Sequence, residues 1–315
     1  MTLVCINGEF VDDPAKATLS AFDAGVQHAV GLFETMLALP PRESDGAPRI
    51  HRLGEHLSRL ETSIAALGLT QTFRPEAMGD LLVETARRYG CTEGRRARMR
   101  LTVTGGDLNL LRPGSGSALR PTILIVCQEP TEYPQEMFEL GVSAVIADLR
   151  VNPLDPFESH KTLSYWRRLN ALRDAAAKGA GEAIVFQVSN HVAGGAVSNI
   201  FAVRKGTLQT PIARGEETAV ARSATLPSPV LPGVTRLAVI EHAASCGIEV
   251  VRKMMTIDDV LDADEVFLTN SSWGVLPVTR VEGRSIGAGT PGEWTRCLRA
   301  CWLAELDQSS NADRG

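Results

Sequence analysis

Residues 151–160 (VNPLDPFESH) interrupt a chain that is otherwise patterned for regular structure. Proline lacks a backbone donor and restricts the residue before it, so Pro153 and Pro156 exclude both a helix interior and a central strand here. The segment therefore reads as a crossing between two folded parts. Length agrees, since 315 residues make two domains the simplest expectation at roughly 150 residues each. A small domain is expected over 1–129 and a larger one over 130–315, with the crossing at about 150–160.

Before the crossing, TLVCINGEF (2–10) alternates apolar and polar residues around Asn7-Gly8, which predicts two short strands and a tight turn. From His51 onward, Leu53, Leu57, Leu60, Ile64 and Leu67 recur at helical spacing and stop at Gly68. A second helix is expected at about 75–89, and strands at 99–104 and 121–127 flank a Gly/Pro/Ser-rich loop over 105–120. Further strands at 141–150, 182–188, 199–211, 247–254 and 264–270 alternate with helices at 162–178, 235–245 and 290–305. Arg204-Lys205-Gly206 turns the strand at 199–211 back on itself as a hairpin. The polar tail DQSSNADRG is expected to fray. The outcome is an α+β chain of two domains.

Composition narrows the partners. With 37 acids against 32 bases the formal charge is −5, which gives no general attraction to nucleic acid or to an anionic membrane. The Arg95-Arg96-Ala97-Arg98 cluster is too short to change that. No stretch approaches the ~18 apolar residues of a spanning helix, and no basic start precedes an apolar signal core. A cytoplasmic location is the expectation. Six cysteines (Cys5, Cys91, Cys127, Cys246, Cys297, Cys301) lie scattered without a CxxC pair, which fits a reducing compartment, and Cys297 and Cys301 are spaced for one helix face. His51 and His56 are five apart, and His160 and His191 have no partners at ligand spacing, so no metal is expected.

Lys161 follows the crossing directly. A lysine at such a junction can point into a cleft, where desolvation lowers its pKa and frees its amine as a nucleophile; it can equally be a solvated lysine near a helix start. Three segments downstream suit an anion: GGAVSN at 194–199, PGVTR at 232–236 opening a helix, and TNSS at 269–272 after a strand. A helix start offers free N–H groups and the positive end of its dipole. Such clusters also serve as ordinary turns and caps.

Taken in order, INGEFV near the start, DAGVQHAVGLFETM (23–36), EHLSRL (55–60), HKTLSYW (160–166), HVAGGAVSNIFAV (191–203), LPGVTR (231–236) and LTNSSWGVLPV (268–278) resemble one family. It is the fold-type IV pyridoxal-phosphate enzymes, or class IV aminotransferases, which include branched-chain and D-amino acid aminotransferases and aminodeoxychorismate lyase. The resemblance implies a small α/β N-terminal domain, a larger C-terminal domain with a β-barrel-like core, and pyridoxal 5'-phosphate between them. It implies that Lys161 holds the cofactor through its amine and shuttles the substrate Cα proton. Tyr165 would hydrogen-bond the cofactor O3′, Arg59 would pair with its phosphate, and Val234, Thr235 and Ser271 would add donors. Ser198, Asn199 and Asn270 belong to the same cofactor-binding segments. Candidates for substrate contact are Arg98 and Arg100, on one face of their strand, and His28, where the family often has tyrosine. Glu34, in the recurrent FET signature, is given a structural role. A homodimer is implied, because carboxylate-binding residues in related enzymes can come from the neighbouring subunit.

One departure stands out. Where the family places a glutamate against the pyridine nitrogen, this chain has Gly194. A carboxylate there keeps the nitrogen protonated and the ring electron-withdrawing, and losing that charge-assisted bond would cost about 1.5–3 kcal/mol, or about tenfold or more in affinity. Restoring a glutamate at 194 is accordingly expected to raise turnover. The implied activity is transamination at the Cα of an amino acid, with an amino acid and a keto acid as substrates. Aminodeoxychorismate lyase is the alternative, because Asn270 in TNSS looks more like that branch, and a non-catalytic binder of a phosphate-bearing metabolite is a further one.

Overall fold

The computed structural model describes residues 2–42, 46–92, 95–107, 120–220 and 226–307. Most of the expected loop at 105–120, and the tail from Gln308, lie outside these residues. The chain divides into two units, one running to Thr131 together with His160–Ser164, the other Glu132–Ser159 together with Tyr165–Asp307. Lys161, expected within the larger half, thus packs with the first unit.

In the first unit Thr2–Ile6 (β1) and Glu9–Val11 (β2) pair antiparallel across Asn7 and Gly8, whose φ values of 52° and 88° are those an Asn-Gly turn accommodates. Ala24–His28 (α1), capped by Asp23, leads into Gly31–Leu39 (β3), followed by Arg49–Ile50 (β4). Leu53–Leu67 (α2) and Pro75–Tyr89 (α3) come next, each ended by a left-handed glycine, Gly68 and Gly90. Ala97–Thr104 (β5) and Ile123–Gln128 (β6) complete an antiparallel sheet of order β2-β1-β6-β5-β3-β4. The apolar stripe of α2 (Leu57, Leu60, Ile64) and that of α3 (Met78, Leu82, Ala86) pack on Leu32, Met36, Met99 and Leu101 from one face of this sheet. Each fully buried leucine there contributes about 1.5–3 kcal/mol.

The pattern of β3 was not legible as a strand. Eight of the nine residues of GLFETMLAL are buried, so both faces are covered and the alternation that marks a half-exposed strand is lost. Because β4 pairs only with Ala38 and Leu39, the edge of β3 near Gly31 is open to another segment. Residues 161–163 take it: Phe33 N–H donates to the Lys161 carbonyl at 2.9 Å, Leu163 N–H to that of Gly31 at 2.9 Å, and Leu32 bridges Thr162. The helix expected from 162 therefore starts at Trp166, since the preceding residues make their backbone bonds to β3 instead.

In the second unit Glu136–Glu139 (α4) precedes Val142–Val151 (β7), and Trp166–Ala177 (α5) precedes Glu182–Gln187 (β8) and Val192–Gly195 (β9). Asn199–Arg204 (β10) and Thr207–Pro211 (β11) form the expected hairpin at Lys205-Gly206, followed by the short Glu217–Val220 (α6) and by Val234–Ser245 (α7). Val250–Lys253 (β12), Ile257–Leu261 (α8), Glu265–Asn270 (β13), Gly274–Val281 (β14), Arg284–Ser285 (β15) and Glu293–Asp307 (α9) follow. The strands make a mixed sheet of order β12-β11-β10-β13-β14-β7-β8-β9, with β15 on β14. α5 lies on β7 and β8, and α9 packs against β14 and α7. Among the described residues no helix is long and apolar enough to cross a membrane.

Candidate active site

The register of the 161–163 segment sets the direction of its side chains. Lys161 stands opposite Phe33, so the two share a face, while His160 and Thr162 point to the other. The contacts agree: Lys161 Nζ lies 4.4 Å from the Phe33 ring centroid, and His160 Nδ1 meets Ser63 Oγ of α2 at 2.9 Å. Arg100, from β5, places its guanidinium 3.7 Å from the same Phe33 centroid. Of the two arginines proposed for substrate, Arg100 therefore shares a ring with Lys161, and Arg98 lies farther along the strand opposite Leu37. Two cations at one aromatic ring are each favoured by its quadrupole.

Behind this face, Glu34 turns toward α2. Its Oε2 meets His56 Nδ1 at 2.7 Å, and Arg59 grips it with a fork, Nε to Oε1 at 2.8 Å and a terminal nitrogen to Oε2 at 2.5 Å. Burial alone would raise the Glu34 carboxyl, but Arg59 and His56 hold it down at about 2. Burial pushes His56 the other way, toward its neutral form. Sequence reasoning assigned Arg59 to a phosphate and gave Glu34 no partner. In the structure Arg59's fork is on Glu34.

In the second unit the three anion-suited segments do come together. Asn199 Nδ2 donates to the Leu231 carbonyl at 2.9 Å, and its Oδ1 sits so close to Gly233 that a Cβ there would overlap it. Asn270 Nδ2 donates to the Val197 carbonyl at 3.3 Å, while its Oδ1 accepts from Ser272 N–H at 2.9 Å and Trp273 N–H at 3.1 Å. The loop at 194–199 is thereby tied to the start of α7 on one side and to the 270–273 turn carrying Ser271 on the other. Glycine at the N-cap offers α7 no capping side chain, and the first intrahelical bond is Leu237 N–H to the Gly233 carbonyl. The N–H groups of Val234, Thr235 and Arg236 precede it, on residues that are all buried, which is the donor set an anion would use. Arg236 turns away, held by both Glu216 oxygens at 2.8 Å.

Glu182 is the residue the sequence reading missed. It is fully buried, and its Oε1 accepts from Ala183 N–H (2.9 Å) and Ala196 N–H (3.2 Å). Its Oε2 accepts from Val197 N–H (3.3 Å) and Ser198 Oγ (2.9 Å). Burial pushes this carboxyl up, and the four donors oppose it. The available signal was an acid opening the otherwise apolar run EAIVFQ. Ser198, placed on the cofactor by resemblance, here donates its hydroxyl to Glu182.

Gly194 has φ +151°, and a Cβ there would lie 2.8 Å from the Ser198 carbonyl oxygen. At Gly195 a Cβ would overlap Ser198 Oγ and crowd Glu182. The backbone at this position suits glycine, so a glutamate there would strain the loop. Tyr165 is half-buried at the start of α5, and His28 is exposed at the end of α1.

The family profile described as "Amino-transferase class IV" matches residues 31–281. The chain belongs to the class IV aminotransferase family. It is 33% identical over 299 residues to a putative branched-chain-amino-acid aminotransferase of Methanocaldococcus jannaschii, spanning 94% of this chain and 93% of that one. To the aminodeoxychorismate lyase of Bacillus subtilis it is 26% identical, over 96% and 94%. A solved branched-chain amino acid aminotransferase from T.th., complexed with N-(5'-phosphopyridoxyl)-L-glutamate, superposes with a TM-score of 0.82 at 26% identity, covering 98% and 95%. The α+β fold of this class IV aminotransferase is thus the fold-type IV architecture. Pyridoxal phosphate is the cofactor of the family. In the first unit Lys161 carries an amine of the kind an aldehyde takes up, and in the second the buried, uncapped start of α7 offers donors of the kind a phosphate takes.

Proposed function

We propose that the chain is a pyridoxal 5'-phosphate-dependent aminotransferase acting at the Cα of a small amino acid, with a keto acid as its second substrate. The observation that carries this reading is the placement of Lys161, fixed through its own backbone to β3 with its amine against the Phe33 ring that Arg100 also contacts. When bound, the cofactor supplies an aldehyde that condenses with amines and a conjugated ring that takes up electrons from Cα. Lys161 Nζ would hold the cofactor in the resting enzyme and serve as the base that takes up the substrate Cα proton. Arg100 shares the Phe33 ring with that amine. Val234 and Thr235 would hold the phosphate through backbone N–H groups and the Thr235 hydroxyl, Ser271 would add a donor, and Tyr165 would donate to O3′. The resemblance gives Arg59 to the phosphate as well, alongside its fork on Glu34. Asn199, Asn270, Ser198 and Glu182 act one step removed, by holding the loops that carry these donors.

Lyase chemistry on aminodeoxychorismate is the second reading, supported by the Bacillus subtilis relative and by the turn that Asn270 builds over 270–273. Both readings need Lys161. Purified protein given pyridoxal phosphate should develop the near-ultraviolet to visible absorbance of a lysine-bound cofactor, and Lys161→Ala should remove both that band and about 10²–10⁴-fold or more of the rate. Keto-acid formation from a panel of L- and D-amino acids, set beside pyruvate release from aminodeoxychorismate, separates the two. Turnover that survives Lys161→Ala would sink both.

A further inference from the structure

The seam between α7 and α9 carries three thiols for which the proposed reaction has no use. Cys246 follows the last turn of α7, and Cys297 and Cys301 stand one turn apart on α9. Residues four apart share a helix face, and here that face meets the end of α7. The Sγ atoms of all three lie within 4.8 Å of one another. Along the same seam His242 Nε2, one turn before Cys246, meets Glu305 Oε2, one turn after Cys301, at 2.8 Å. That contact fixes the register of the helices and keeps the thiols facing each other. Cys246 and Cys297 are exposed and Cys301 is half-buried, so the cluster opens to solvent on one side. The other three cysteines, Cys5, Cys91 and Cys127, are buried in the first unit.

We propose that Cys246, Cys297 and Cys301 bind a thiophilic divalent cation of the zinc class, with a water or other external ligand in the fourth position. Zinc–thiolate bonds of about 2.3 Å in a tetrahedron require sulfurs about 3.8 Å apart. Three sulfurs already within 4.8 Å reach that spacing by small side-chain rotations, without moving either helix. An all-sulfur set discriminates against magnesium and calcium, which take oxygen ligands. The step is a proton exchange with no change of oxidation state: three S–H bonds break, three metal–sulfur bonds form, and up to three protons leave for each ion bound. The bound ion would clamp the end of α7 to α9.

The test uses reduced, tag-free, full-length protein titrated anaerobically with Cd2+, followed by competition with Zn2+. One ion should bind per chain, with thiolate-to-cadmium absorbance in the ultraviolet, release of up to three protons in weak buffer, and protection of the three clustered thiols from alkylation. Cys246→Ser and Cys297→Ser, at exposed positions that the fold tolerates, should each weaken binding by at least about a hundredfold, the upper end of the effect of a lost supporting partner at a metal site. Cys91→Ser should leave binding unchanged. Retention of the ion by the Cys246→Ser/Cys297→Ser double variant, or failure of Cd2+ to protect these thiols in the wild-type chain, would overturn the site. None of these readouts depends on activity or on the pyridoxal-phosphate reading.

Discussion

The two units hold their functional segments by different forces. In the first, a buried acid between a guanidinium and an imidazole locks side chains together: Glu34, His56 and Arg59 are 1%, 1% and 11% exposed. In the second, backbone is held by short polar groups, with Glu182, Asn199 and Asn270 each reaching main-chain atoms of a loop. The first arrangement positions charge and is strong but sensitive to pH. The second presents N–H groups in a fixed direction, spreads its energy over many modest bonds, and is the kind of frame a phosphate requires.

The largest effect is expected where a buried charge loses its partner. Glu34→Ala leaves Arg59 and His56 facing an empty acceptor site, and breaking a buried pair in this way costs about 3–5 kcal/mol. Chemical denaturation should show that loss in the transition of the first unit, and a loss below about 1 kcal/mol would mean that the ion pair is not what holds α2 to β3. The same contrast predicts an acid response. The folded Glu34 carboxyl lies at about 2, below the ~4.3 of an unfolded glutamate, so its stabilisation is present above that unfolded value and is lost as pH falls toward 2. Glu34→Gln should flatten the stability profile in that window.

Next in size is Glu182→Ala in the second unit. It orphans two loop N–H groups and the Ser198 hydroxyl, at about 1–3 kcal/mol. Because the bonds are to backbone, the distinctive readout is local: hydrogen exchange at Ala196 and Val197 should accelerate, and cofactor affinity should fall. Unchanged exchange at those amides would show that the loop is held by the strands alone.

Much of this frame was open to a reader of the sequence and some of it was not, for physical reasons. The helices expected from His51 to Gly68 and at 75–89 appear as Leu53–Leu67 and Pro75–Tyr89, because an amphipathic stripe closed by glycine is local information. The buried strands β3 and β14 carry no alternation and stayed hidden. The start of α5 was misplaced because residues 161–163 bond to Gly31 and Phe33, a tertiary choice that local propensity does not encode. Among the candidate residues, Lys161 and the three anion-suited segments were visible as residue types in order. Their supports were not, since Glu34 and Arg59 are 25 residues apart and Asn199 reaches Leu231 across 32.

Gly194→Glu comes third, and it sets the strain of this backbone against the gain in turnover that the family resemblance implies. With φ at +151° and the Ser198 carbonyl 2.8 Å from a new Cβ, the substitution should cost about 1–3 kcal/mol in strain. Turnover should fall or hold rather than rise. A clear gain in rate with undiminished stability would mean that the loop yields easily, and that glycine is there for catalytic tuning rather than for its backbone.

The smallest effect separates positioning from binding. Asn199→Ala removes the bond to the Leu231 carbonyl and the contact against Gly233, which should cost only about 0.5–1.5 kcal/mol of stability. The start of α7 would then be less well fixed relative to β10. If Asn199 works by aiming the Val234 and Thr235 N–H groups, the variant should weaken inorganic phosphate and the cofactor by a similar factor, because both use the same donors. Asn199→Asp is the companion: it keeps the size but cannot donate to the Leu231 carbonyl, and it adds a negative charge beside the start of α7. It should therefore weaken phosphate more than Asn199→Ala does, and more so at low salt, where a charge is least screened. Equal losses at all salt concentrations would place Asn199 in the frame alone, too far from the anion for its charge to be felt.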